Sequence, residues 1–143
     1  MNRMHESVKH ETLLLPQSQA AGGNTTGSYA PVVNAVHDIL FTVIGGALAA
    51  GKKLTVEVFQ ADDTGGTNAA ELTDCETVFT APVGGATSIK MMISLDKNLL
   101  SKPFVTVKVT NDAAVAVLIA AELIYDPMNR RASLNSPDAL KVV

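Results

Sequence analysis

Several stretches of this chain carry residue types that can do chemistry, and each lacks a part that the chemistry needs. Gly46-Ala47-Leu48-Ala49-Ala50-Gly51-Lys52-Lys53 nearly matches a phosphate-binding loop, in which backbone amides cradle phosphates and a lysine reaches them. Lys53 stands where a magnesium-holding hydroxyl should be. The segment also leads into a strand-like run at 54–60, not into a helix whose N-terminus faces phosphate. A turn is expected instead. Cys75, the only cysteine, would be a nucleophile if a histidine lay beside it. His5 and His10 sit in a polar N-terminal stretch and His37 opens a strand, so Cys75 reads as a small buried hydrophobe.

The remaining candidates fail in similar ways. Asp62-Asp63-Thr64-Gly65-Gly66 looks superficially like a calcium loop but lacks alternating oxygen ligands and a distal bidentate glutamate. His5 and His10, five apart in a polar stretch, make a poor metal site. Asn24-Thr25-Thr26 fits a glycosylation sequon, which without a secretion signal marks only a polar loop. Arg130-Arg131-Ala132-Ser133 fits contact with an acidic partner surface better than a modification site. No catalytic residue, metal ligand or cofactor site is expected.

The elements behind these residues are strands. Leu54, Val56 and Val58 share one face, with Thr55 and Glu57 on the other; Val105, Val107 and Val109 alternate with Thr106 and Lys108. Further strands are expected at 28–33 (weak), 36–44, 75–81, 88–95 and 115–125. Turn signals at Gly45-Gly46, 62–67, Gly84-Gly85 and Asn111-Asp112 separate them. Residues 96–103 predict one helical turn capped by Asp96, and 68–72 another. The run 115–123 is rich in helix formers, yet Val115, Val117 and Ile119 are β-branched and a hairpin-like Asn-Asp precedes them, which favours a strand. Its lack of polar alternation implies that both faces are covered, with a neighbouring subunit as one possible cover. Seven or eight strands at this spacing indicate an all-β fold, an antiparallel β-sandwich, either a jelly roll or a simpler sandwich.

Before and after that domain the character changes. Residues 1–27 are polar and rich in Gly, Ser, Thr and Asn, and read as an extended N-terminal arm with a short strand at 12–16. Residues 28–127 form the sandwich domain, and 128–143 a polar C-terminal tail. Of the 143 residues, 47% are hydrophobic and 17% charged, too apolar for a disordered chain and apolar enough to expect part of the surface to be covered in an assembly. The net charge of −3, without a Lys/Arg cluster, gives no footprint for nucleic acid. No apolar run is long enough to span a membrane and the N-terminus lacks a signal-peptide core, so a soluble protein that stays where it is made is expected.

Three segments carry a family resemblance: the lead-in SQAAGGNTTGSYAPV, the turn and strand ALAAGKKLTVEVFQADDTGGTNAAEL, and the late run FVTVKVTNDAAVAVLIAAELIYDP. Over residues 17–127 the chain resembles the capsid decoration (head-stabilising, or cement) proteins of tailed bacteriophages. The resemblance implies a non-enzymatic β domain on the capsid surface of the virion, assembled in the host cytoplasm and bound to the major capsid protein. It also implies a homo-oligomer, a trimer, with neither nucleic acid nor membrane as partner. On that basis Leu13, Leu14 and Leu15 in the arm, with Arg130 and Arg131 in the tail, are the expected capsid contacts. Val117, Leu118 and Ile119 are the expected subunit interface. Another phage structural sandwich, of tail tube or baseplate, or a surface carbohydrate-binding module is the alternative.

Overall fold

Period-two alternation builds most of the molecule. The computed structural model describes residues 8–127. Nine strands follow in chain order: β1 (Lys9–Gln19), β2 (Asn24–Thr26), β3 (Ala30–Pro31), β4 (Ala35–Gly45), β5 (Lys53–Ala61), β6 (Ala70–Thr80), β7 (Ile89–Leu95), β8 (Phe104–Asn111) and β9 (Val117–Pro127). One sheet runs β1-β9-β4-β7 and the other β2-β8-β5-β6, with β3 also paired to β8. All pairings are antiparallel. Because β2 and β3 both lie on β8, they act as one interrupted strand. The resulting eight-strand order is that of a jelly roll.

The core lies between the two sheets. Leu54, Val56 and Val58 from β5 and Val105, Val107 and Val109 from β8 meet Ile39, Phe41 and Val43 from β4 and Val117, Ile119 and Leu123 from β9. Valine and isoleucine suit this close stacking because their branched side chains fill a pleated surface with little rotamer freedom to lose. The expected strand at 115–125 is found as β9, starting two residues later at Val117, with Val115 in a bend before it. Residues 97–99 form a 3-10 turn whose N-cap Asp96 accepts from the Asn98 amide at 2.8 Å, again as expected.

The N-terminal arm is corrected in part. Residues 9–19 are an edge strand of the first sheet, and Leu13 and Leu14 are 2% and 5% exposed within the core. Two single-residue bulges, between Thr12 and Leu14 and between Leu14 and Gln17, accommodate Pro16 and break the alternation that would have marked this strand. Gln19 at its end is buried and donates to the Val109 carbonyl at 2.8 Å. Its own amide oxygen accepts from Asn111 Nδ2 at 2.6 Å. Asn111 Oδ1 in turn accepts from the Gly22 and Ala113 amides. This closed polar network ties the β1–β2 corner to the β8–β9 corner.

Gly27 interrupts β2 and β3 where nothing larger fits. A Cβ there would stand 2.8 Å from Thr106 Oγ1 and 2.9 Å from the Leu13 carbonyl oxygen. The expected helical turn at 68–72 is absent. Asn68 takes a left-handed φ of 51° and β6 begins at Ala70, earlier than the 75 expected. Between Glu57↔Glu76 and Phe59↔Glu71, β5 advances two residues and β6 five, so three extra residues bulge out of β6 around the left-handed Asp74.

Candidate interaction surfaces

The outer face of the first sheet is the most apolar exposed surface on regular structure. Register sets its rows: Ala120, Ile44 and Lys90 lie side by side, as do Glu122, Thr42 and Met92, and then Ile124, Leu40 and Ser94. Ile44 is 52% and Leu118 63% exposed, and Met92 is also exposed. Leu40, Ala120 and Ile124 are half-buried beside them. Where the bulged β1 bends away from β9, a shallow groove of about 230 Å³ opens on this face. Thr12, Leu14, Pro16, Ile44, Ala120 and Glu122 line it. Ordinarily the solvent face of a two-layer sandwich is polar; here Ile44, Met92 and Leu118 are exposed on it, with Glu122 and Lys90 beside them.

The expected interface residues divide between two faces. Val117 and Ile119 point into the core, at 1% and 2% exposure, so they cannot meet a neighbouring subunit in the folded chain; only Leu118 points outward. Of the three expected anchors, Leu13 is buried in the core, Leu14 is buried at the floor of the groove, and Leu15 is largely exposed. Arg130 and Arg131 lie outside the described residues. Sequence reasoning missed Ile44, Lys90, Met92 and Glu122. They come from three strands, and only the pairing register brings them together.

The stretches singled out for chemistry serve the fold. The 46–53 segment is a turn in which the Leu48 amide and carbonyl pair with Ala86, and it delivers the chain into β5. In the 62–67 loop, Asp63 accepts from the Gly65 and Thr67 amides at 2.9 and 3.0 Å and from Thr67 Oγ1 at 2.6 Å. Those bonds, the Thr67 hydroxyl foremost, hold its carboxyl below the ordinary value. Asp62 is lowered too, by Asn68 first and then Lys102, whose Nζ lies 3.0 Å away. Asp63 is thus occupied by its own loop, and Asp62 by Asn68 and Lys102. Cys75 is partly buried, and desolvation, with Asp74 adding to it, pushes the thiol up, away from nucleophile behaviour.

On the outer face of the second sheet, Glu57, Glu71 and Glu76 converge at the β6 bulge with carboxylate oxygens within 4.8 Å of one another. Lys108 Nζ stands 3.4 Å from Glu57 and 5.7 Å from the centre of the Phe59 ring, offsetting part of that charge. No nitrogen or sulfur donor joins the group among the described residues, and it reads as a surface ion-pair cluster.

No protein-family profile matches the chain, and no curated protein matches it. Solved structures do. The capsid protein in infectious bursal disease virus-derived T=1 particles aligns with a TM-score of 0.55 at 10% identity, over 86% of this chain and 32% of that one. The Gx strain of the same virus gives 0.52 at 12% identity, over 82% and 31%. The PBSX exported protein XepA gives 0.55 at 11% identity, over 94% of this chain and 43% of that one. The chain spans less than half the length of each of these proteins. At such identities the likeness is one of fold alone.

Proposed function

We propose that this chain is a non-enzymatic structural protein of a virion. In the finer reading it is a decoration subunit that sits on the outer surface of a tailed-phage head and stabilises contacts between major capsid subunits. The observation that carries the reading is a jelly roll, spanning nearly all the described residues, whose first sheet exposes Ile44, Met92 and Leu118 on its outer face. The fold likeness to a viral capsid protein supports it, as does the resemblance of residues 17–127 to decoration proteins. A shallow, repeated contact suits this role: many weak sites on a symmetric shell add avidity without a deep pocket.

Immunogold labelling of particles from a culture producing the chain tests the proposal. Label on heads is the expected result. Label confined to tails transfers the chain to a tail or baseplate role, and unlabelled particles overturn the virion assignment.

A further inference from the structure

We propose that the outer face of the β1-β9-β4-β7 sheet is a self-complementary contact, on which a second copy of this chain packs face to face about a two-fold axis, with Glu122 of each copy meeting Lys90 of the other. Three observations on this face lead there, and none depends on the virion reading. The first is its apolar centre: Ile44 and Leu118 are more than half exposed, with Met92 beside them.

The second is the placement of charge. Glu122 pairs in register with Thr42, and Lys90 with Ile44, so the two charges flank β4 on opposite sides and two residues apart along it. At a strand spacing of ~4.8 Å and a rise of ~3.4 Å per residue, their Cα atoms stand about 12 Å apart. Both side chains are exposed, and among the described residues neither forms an ion pair. A two-fold axis lying in the contact plane and passing over β4 between Thr42 and Ile44 exchanges the two positions. One rotation about the axis perpendicular to the Glu122–Lys90 line then makes two identical bridges and sets Ile44 between the partner's β4 and β9; such reciprocal contacts define an isologous interface.

The third is area. Four strands by seven residues give a face of about 19 by 24 Å, on the order of 450 Å² a side. Two such faces bury roughly 900 Å², below the ~1,200 Å² of stable specific interfaces and in the range of transient contacts, so the pair is expected to be weak and concentration-dependent. A cyclic trimer needs two different surfaces on each copy, whereas the opposite charges on this face match a second copy of the same face.

Sedimentation equilibrium of the full chain over a hundredfold range of concentration, at low and high salt, decides the matter. The expected result is a monomer–dimer equilibrium that weakens with salt. Glu122→Lys and Lys90→Glu should each weaken it at least tenfold, because like charges then meet twice. The double variant E122K/K90E should restore it to within about threefold. Unchanged circular dichroism in all three variants is required, and expected of exposed positions. A monomer throughout, a trimer, or a dimer indifferent to the single reversals would overturn the proposal. So would a double variant as weak as either single one.

Discussion

At residue scale, Asp63 shows how a side chain that resembles a ligand can be spent on its own loop. Its carboxylate is fully exposed yet holds three hydrogen bonds from Gly65 and Thr67. With the folded value lowered, its contribution to stability is complete above the unfolded carboxylate range near 4. It is lost as the pH falls through the lowered folded value. The difference in melting temperature between the parent and Asp63→Ala should therefore be constant at neutral pH and shrink below about pH 4. Cys75 behaves in the opposite sense. Its raised thiol should react with iodoacetamide at pH 7 more slowly than free cysteine, whose pKa is about 8.5, and the rate should climb only in alkali. Thr106 Oγ1 is buried without a hydrogen-bond partner among the described residues, so Thr106→Val should hold or raise stability, by up to about 1 kcal/mol in a urea titration.

At the scale of elements, β1 is the informative strand. If Lys9–Gln19 belongs to the sandwich, Leu13→Ala should cost about 2–5 kcal/mol of unfolding free energy, as for other buried leucines; in a free arm it would cost almost nothing. Gly27→Ala should be destabilising by about 1–3 kcal/mol, because the added methyl meets a backbone carbonyl that cannot move without β1. The strands legible from the sequence, 54–60 and 104–110 above all, keep strict alternation from end to end and lie inside their sheet. Those that were not, β1 and the first half of β6, carry bulges that shift the phase of the pattern. The same limit applied to the candidate surface. An unbroken apolar run at 115–123 announces a strand but hides which of Val117, Leu118 and Ile119 faces out, and a surface assembled across three strands exists only once their register is known.

For the whole molecule, each sheet has two central and two edge strands, β9 and β4 inside the first and β8 and β5 inside the second. β9 and β4 are paired on both sides, whereas β1 and β7 are each paired on one. Amide hydrogen exchange should accordingly be slower in β9 and β4 than along the free edge of β7, unless a partner covers that edge. The pairing of Lys9 with Tyr125 also places the beginning of the first strand against the end of the last, on neighbouring strands. Cα atoms of such opposed residues stand only about 5 Å apart. A domain that enters and leaves through one narrow gate can be spliced into a surface loop of an unrelated host without prising that loop apart, which makes this jelly roll a natural cassette for display.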